Sequence, residues 1–199
     1  MGAPLAIWGA AGNFIIFRRK PYTVNKADEA TIAAHAEHGI GRVIPMAGTV
    51  SKDSVVSLQE VTRDTVRAIC KLKVSEYQNQ FVAPNSVSIA EAYFSRDEAW
   101  FRAICADNTP VGFVMVYDDP KKSEYFIWRF MVDERYQKMG FGSKAMELVL
   151  DHIRSRPNAK EVRLSYHQAE GGPNGFYRKV GFVDTGEMWD DEHVMVLVF

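Results

Sequence analysis

The residues with the most evident chemistry lie between Gln137 and Gly142, in a segment of the form Q-x-x-G-x-G. Two glycines at this spacing let the backbone turn tightly and approach a ligand without a Cβ in the way. A helical pattern follows from Ser143, so the free backbone N–H groups of a helix start would point at that ligand. Such a helix start suits an anion, and a pyrophosphate in particular.

The segments on either side of this glycine loop strengthen that interpretation. Residues 124–132 are mostly aromatic and apolar at both odd and even positions, which is typical of a strand covered on both faces. Residues 143–154 carry a broad apolar helical face. Residues 173–180 form a short predicted helix with a proline in its first turn, and Gly181 ends it before another strand.

Together these features resemble the GNAT superfamily of acetyl-CoA-dependent N-acetyltransferases. The segment from Gln137 to Gly142 resembles its pyrophosphate loop. Asn174, the pair Phe176-Tyr177 and the exit at Gly181-Phe182 resemble its second conserved region. The resemblance covers roughly residues 55–199. It implies an α/β fold with a mixed, twisted sheet that is splayed near its middle strand and flanked by helices.

Within that superfamily, the sequence is similar to the bacterial spermidine and diamine acetyltransferases. The similarity lies in Tyr93-Phe94, in residues 125–131 and in Tyr136-Gln137. It implies an acceptor that is a small cationic amine.

The order of predicted elements from Val55 onward is β-α-α-β-β-β-α-β-α-β-β. Residues 51–199 are predicted to form the GNAT-like domain, and residues 1–50 are interpreted as a poorly packed N-terminal extension. Within the extension, a short helix is predicted from Asn25 to Ala36. One hypothesis is that translation begins at Met46, so that the residues before it would not belong to the native protein.

The resemblance implies acetyl-CoA as the co-substrate. Backbone N–H groups of the loop would hold the pyrophosphate, and the strand before the loop would pair with the pantetheine arm. The Met131 N–H would polarise the thioester carbonyl, and Asn174 would contact the pantetheine amide. The predicted cofactor-binding residues are Phe130, Met131, Val132, Gln137, Lys138, Met139, Gly140, Phe141, Gly142, Ser143, Asn174 and Tyr177.

Tyr177 is the predicted general acid, because the resemblance places its hydroxyl near the thioester sulfur. A phenol has a pKa of about 10, against about 8.5 for a thiol. Tyr177 can therefore protonate the departing thiolate without itself being ionised at neutral pH. The alternative is a tyrosine that only fills the core beneath a short amphipathic helix.

The general base is less well defined by the sequence. An aliphatic amine with a pKa near 10.4 costs about 4.6 kcal/mol to neutralise at pH 7, so a base or a water chain must take its proton. Glu124 is the predicted base, and His167 follows a strand that could approach the site. For each carboxylate, a solvated surface group is the alternative. The predicted substrate-binding residues are Glu91, Glu124, Trp128 and Glu187.

Composition limits the partners. A net charge of −1 gives no argument for binding nucleic acid or an anionic membrane, and no segment is long enough to cross a bilayer. Cys70 and Cys105 lie in apolar surroundings and do not form a disulfide framework, which fits a cytoplasmic location. His35 and His38 lack a third ligand nearby, so we expect no metal. A homodimer is an expectation from the resemblance alone.

The sequence therefore predicts transfer of an acetyl group from acetyl-CoA to a primary amine of a small polycation, such as spermidine. Direct transfer is expected, since no cysteine falls where the motif would need a nucleophile. Three alternatives stay open at this point: an aminoglycoside N-acetyltransferase, a protein-directed acetyltransferase, and a module that binds acyl-CoA without turnover.

Overall fold

The computed structural model describes residues 4–8, 14–18 and 50–199 of the chain. The chain divides into two compact units, residues 1–46 and 47–199. In the first unit, β1 (Pro4–Trp8) and β2 (Phe14–Arg18) pair antiparallel, with Pro4 opposite Arg18. The sequence analysis did not anticipate these strands, although their aromatic and β-branched residues favour pairing. The helix predicted from Asn25 to Ala36 lies outside the described residues.

The second unit contains the elements that form the site, and their predicted order is confirmed. Short 3₁₀ turns lie at Glu76–Gln80 and Glu134–Tyr136. The elements are β3 (Val56–Gln59), α1 (Val66–Cys70), α2 (Asn85–Ala92), β4 (Ala99–Ala106), β5 (Thr109–Asp119), β6 (Glu124–Val132), α3 (Phe141–Arg154), β7 (Glu161–His167), α4 (Asn174–Val180), β8 (Val183–Trp189) and β9 (Glu192–Val198).

The strands of this unit form one seven-stranded sheet in the order β3-β4-β5-β6-β7-β9-β8. All neighbours are antiparallel except β6 and β7, which run parallel. These two strands pair only at Phe126 with Arg163 and at Ile127 with Leu164. Beyond those residues their pairing ends, so the sheet opens as a V toward their carboxyl ends. The predicted mixed sheet, splayed at its middle strand, is confirmed.

A β-bulge lies at this opening. On β5, Met115 is opposite Arg129 but Val116 is opposite Ile127, so Trp128 is an extra residue in β6. A bulge of this kind reverses the side-chain alternation that follows it. Ile127 and Phe130 therefore both face the core beneath α3. Arg129 turns to the other face of the sheet, where it meets α2.

Apolar side chains on both faces hold the sheet in place. On one face, α3 packs against β3 and β6 through Met146, Val149 and Ile153, all fully buried. On the other face, Ile69 of α1 is fully buried, and the Asn85 amide at the start of α2 donates to the Ile69 carbonyl at 2.9 Å. Each such buried aliphatic side chain contributes about 1.5–3 kcal/mol.

A polar cluster joins the end of α3 to the sheet. The Asp118 carboxylate is 6% exposed and accepts from Arg156 Nε at 2.9 Å, and His152 Nε2 lies 3.1 Å from it. The His152 ring stacks on Trp100 with centroids 3.9 Å apart. His152 is thus a packed histidine that joins α3 to the sheet. Burial alone would raise the pKa of Asp118, but hydrogen bonds from His152 and Arg156 outweigh it and lower that pKa.

Candidate active site

The turn before the glycine loop is built on a buried carboxylate. Asp133 has no exposed surface. Its Oδ1 accepts from Arg135 Nε at 2.7 Å, and its Oδ2 accepts from the Lys73 N–H at 3.0 Å. Burial alone would raise the pKa of Asp133, but these hydrogen bonds outweigh it and lower that pKa. The carboxylate thus stays ionised and fixes where the chain leaves β6.

Gln137 fixes the loop itself. Its Nε2 donates to the Val132 carbonyl at 2.9 Å and to Gln78 Oε1 at 2.8 Å. The first bond ties the loop to the end of β6. The second ties it to the 3₁₀ turn at Glu76–Gln80 on the other side. The side chain of Gln137 therefore positions the predicted pyrophosphate loop, and this amide is not free to bind a cofactor.

The glycine loop then turns directly into α3. Lys138 and Gly140 have φ values of 61° and 86°, both in the left-handed region. The first helical bond is donated by the Lys144 N–H to the Gly140 carbonyl at 3.2 Å. The N–H groups of Phe141, Gly142 and Ser143 therefore have no acceptor within their helix. This end of α3 presents backbone donors to a ligand, as an anion site requires.

Side chains around the loop mostly point away from that site. Phe141 is 1% exposed and belongs to the core, and Met139 packs against the same core. Their predicted contacts with a cofactor would thus be made by backbone atoms. A Cβ built on Gly142 would lie 3.7 Å from both Val132 and Phe176. Gly142 therefore lies where α3 meets β6 and α4. The space between the unpaired part of β6 and α4 is called the channel below.

The wall of that channel is the edge of β6. From Trp128 to Val132, β6 lies past its last pair with β7, so backbone groups on that side are available for another extended chain. The Phe130 ring stacks on Phe176 with centroids 5.8 Å apart. Met131 is buried against Asn85. On the open side of β6, the backbone groups of Phe130 and Val132 face outward, while the Met131 backbone pairs with Phe113 of β5. The cofactor contacts predicted for these residues stay predictions.

Tyr177 lies across the channel on α4. Its ring packs on Phe176 and Phe182, and the residue is 8% exposed. Burial, with a further contribution from the charge of Glu192, raises the pKa of Tyr177 well above its ordinary value. Within residues 50–199, no group hydrogen-bonds its hydroxyl. A neutral phenol with a free O–H is suited to donate a proton. Asn174 begins the same helix, and its Oδ1 accepts from the Gly175 N–H at 2.7 Å.

The predicted substrate residues are placed differently from one another. Glu91 accepts from Arg129 Nη2 at 3.1 Å in a largely buried ion pair. Glu187 pairs with Arg163 at 3.1 Å on an exposed part of β8. Trp128 is the bulged residue at the opening of the V. Trp128 thus lies at the opening of the V, Glu91 is neutralised by Arg129, and Glu187 is held by an arginine two strands away in the sheet.

Glu124 starts β6, three residues before Ile127, where the V begins. Its Oε2 is buried and has no hydrogen-bond partner within the described part of the chain. Burial raises the pKa of Glu124. A buried carboxylate oxygen without a donor is an acceptor for an ammonium or a proton. The roles predicted for Glu124 stay predictions.

Sequence reasoning missed Ser165 and Glu192 on the β7 side of the V, although it noted that His167 could approach the site. Ser165 Oγ donates to Glu192 Oε2, and His167 Nε2 lies 3.3 Å from Glu192 Oε1. Glu192 is directly opposite His167 in the β7–β9 register. Only the pairing of the last strand with β7 brings these residues together, and no local motif in the sequence signals it.

Other chemistry in this unit is limited. Burial raises the pKa of the Cys105 thiol to about 11, which makes it a poor nucleophile. Among residues 50–199, no cluster of three His, Cys, Asp or Glu side chains is placed to hold a metal ion. Of the helices the structure describes, none is long and apolar enough to span a bilayer.

The splayed sheet, the helix start behind a glycine loop and the buried tyrosine across the channel define an acetyl-CoA-dependent N-acetyltransferase site. The comparison with protein-family models agrees with that class. The model described as "Acetyltransferase (GNAT) family" matches residues 66–182, and the chain belongs to this family.

The individual proteins that resemble this chain have low sequence identity to it. The spermine/spermidine N(1)-acetyltransferase of Bacillus subtilis (strain 168) is 27% identical over 147 residues, covering 71% of this chain and 97% of that protein. PaiA N-acetyltransferase from Thermoplasma acidophilum, solved with coenzyme A, superposes with a TM-score of 0.55 at 14% identity, covering 73% of this chain and 99% of that one. A chimera of the Vibrio cholerae spermidine N-acetyltransferase SpeG and hSSAT gives 0.56 at 15% identity, covering 72% and 94%.

Proposed function

We propose that this enzyme transfers the acetyl group of acetyl-CoA to a primary amine of a small polyamine or diamine, such as spermidine. The observation that carries the proposal is the relation to the Bacillus subtilis spermine/spermidine N(1)-acetyltransferase, which extends over 97% of that protein. Identity of 27% supports the substrate class and leaves the individual amine open.

In this proposal, the backbone from Lys138 to Ser143 holds the pyrophosphate. The arm of the cofactor lies along β6 from Phe130 to Val132, where the backbone groups of Phe130 and Val132 face the V. The predicted donor to the thioester oxygen, the Met131 N–H, points instead toward Phe113 of β5, so this role falls to a donor on the open side of β6. The hydroxyl of Tyr177 protonates the sulfur as it leaves. These assignments use the free donors of α3, the unpaired edge of β6 and the neutral phenol described above.

The charges around the V favour a cationic acceptor. Glu124 lies on the face of the sheet opposite α3, and the Asp191-Glu192 pair lies on the same face beside β7. An extended polyamine has a second ammonium that one of these carboxylates can hold while the other end reacts. Binding energy at the distant ammonium then positions the reacting amine.

The experiment is a comparison of kcat/KM for spermidine, spermine and putrescine with several aminoglycosides, at one pH and saturating acetyl-CoA. Release of coenzyme A thiol is the readout, and Tyr177→Phe is the control that separates enzymatic turnover from background hydrolysis. We expect a polyamine to be preferred. An aminoglycoside preferred by tenfold or more, about 1.4 kcal/mol of transition-state stabilisation, would overturn the proposal.

A further inference from the structure

The carboxylate of Glu192, on the open side of the V, is placed for a step that the site described so far leaves unassigned. The last β7 residue that pairs with β6 is Leu164, so Ser165 is the first residue past the opening. Ser165 Oγ donates to one oxygen of Glu192, and His167 Nε2 lies 3.3 Å from the other. Both oxygens of Glu192 are thus oriented by β7 side chains at the point where the strands separate.

Glu192 and Tyr177 lie on opposite faces of the sheet at this opening. Along β9, Met195 and Leu197 face the core beneath α3, so the alternation puts Glu192 on the opposite face. Tyr177 belongs to the core on the α3 side. The charge of Glu192 nevertheless acts on the phenol. Because β6 and β7 are unpaired from this point, an acyl thioester in the V would lie between the two faces of the sheet.

The surroundings give a bound amine both an enclosed site and a path for its proton. The Tyr77 hydroxyl donates to the Glu170 carbonyl at 2.6 Å, which ties the loop after β7 to the turn at Glu76–Gln80. The titratable groups that face Glu192 are Tyr177 on α4, His167 on β7 and Asp191 in the β8–β9 turn. The His167 side chain is 24% exposed, so it reaches the rim of the site.

We propose that Glu192 is the general base of the reaction, with Ser165 and His167 as its positioning residues. The acceptor ammonium gives one proton to Glu192, which passes it through His167 to solvent. The neutral nitrogen attacks the thioester carbon, a C–N bond forms and the C–S bond breaks. The thiolate takes the Tyr177 hydroxyl proton, and the second proton lost by the nitrogen restores the phenol. The products are the amide, coenzyme A thiol and one released proton.

Other carboxylates near the V are less suited to this step. Glu91 and Glu187 are each bound by an arginine. Glu124 lies on the closed side of the V, behind the two paired positions of β6 and β7. Glu192 lies on the open side and is bonded to the first unpaired residue of β7.

The test compares Glu192→Gln, Glu124→Gln and a control, Glu161→Gln, which removes a carboxylate paired with Arg163 at the far end of β7. kcat/KM for the amine that wild type turns over best is measured from pH 7 to 10. Loss of a general base lowers the rate by about 10²–10⁴-fold at neutral pH. Because the variant then depends on amine that is already neutral, its deficit should shrink to below tenfold near pH 10.

A structural role would give a deficit that does not change with pH, and that result overturns the proposal. An effect under threefold at pH 7 overturns it as well. A pH-dependent deficit in Glu124→Gln with a normal Glu192→Gln assigns the base to Glu124 instead. Melting temperature and acetyl-CoA affinity are measured alongside, and both should match wild type.

The inference rests on the proposed function only in requiring an amine acceptor. If aminoglycosides prove to be the better substrates, the polyamine proposal fails and the pH test of Glu192 still applies. If the deficit of Glu192→Gln is independent of pH with a polyamine, the base assignment fails alone.

Discussion

The two glycines of the loop serve different purposes, and a pair of alanine substitutions separates them. Gly140 has φ of 86°, and a Cβ there would meet no atom within 4 Å. Gly142 lies in α3, and a Cβ there would make ordinary contacts at 3.7 Å with Val132 and Phe176. Alanine at the first position strains the backbone, while alanine at the second only occupies the mouth of the channel.

These differences give opposite expected effects on stability. A left-handed conformation costs an L-residue about 1–2 kcal/mol, so Gly140→Ala should destabilise the protein by that amount. Alanine is better than glycine within a helix by up to about 1 kcal/mol, so Gly142→Ala should be neutral or stabilising. At about 2–4 °C per kcal/mol for a domain of this size, the two variants should differ in melting temperature by roughly 2–12 °C.

For acetyl-CoA binding, Gly142→Ala should be the variant with the larger defect. The added methyl of Gly142→Ala takes space between α3 and Val132 where the cofactor must pass, so we expect acetyl-CoA affinity to fall at least tenfold in a variant that is fully folded. Thermal unfolding without ligand gives the stability, and calorimetry with coenzyme A gives the affinity. If Gly142→Ala binds coenzyme A as wild type does, the channel between β6 and α4 is not the cofactor site.

Two further predictions concern groups whose pKa values are shifted. Tyr177→Phe should keep the fold and the affinity for coenzyme A but lower turnover by about 10²–10⁴-fold. Because the pKa of Tyr177 is raised, the wild-type rate should not decline up to about pH 10 from ionisation of this phenol, and a pre-steady-state rate profile would show it. Asp118→Asn should cost about 1–3 kcal/mol of stability at neutral pH, measured by urea unfolding. Since the folded pKa of Asp118 is lowered, its stabilisation exists above the unfolded pKa of about 3.9 and disappears as pH falls through the folded value. The difference between wild type and Asp118→Asn should therefore vanish in strong acid, and a constant difference would contradict the ion-pair explanation.

Much of the fold could be predicted because its signals are local. The boundaries predicted for β6 were confirmed, since a strand that is mostly aromatic and apolar lies between two turn segments. The left-handed Gly181 ends α4 as predicted, because glycine tolerates that conformation. The order of the elements from β3 to β9 follows from such periodicities and breakers, as does the position of the glycine loop.

What the sequence could not reveal depends on contacts between distant residues. Glu192 reaches the site only because β9 inserts between β7 and β8. The pairing of Glu91 with Arg129 requires the bulge at Trp128, which no composition rule predicts in a strand that is apolar on both faces. Candidate carboxylates could therefore be identified from the sequence, but the arginines that pair with them could not be predicted.

Because of the bulge, the number of residues in β6 determines which face each side chain occupies, in addition to the identity of each residue. If β6 alternated regularly through Trp128 without the bulge, the Arg129 guanidinium would turn into the apolar layer under α3 and Phe130 would turn toward Glu91. A conservative substitution in this strand changes one contact, whereas an insertion or deletion away from the bulge shifts the alternation by one and moves every later side chain to the opposite face. Insertions and deletions should therefore be tolerated in the loops around this strand and rejected within it. An alignment that closes a gap inside β6 would then misassign which residues line the channel.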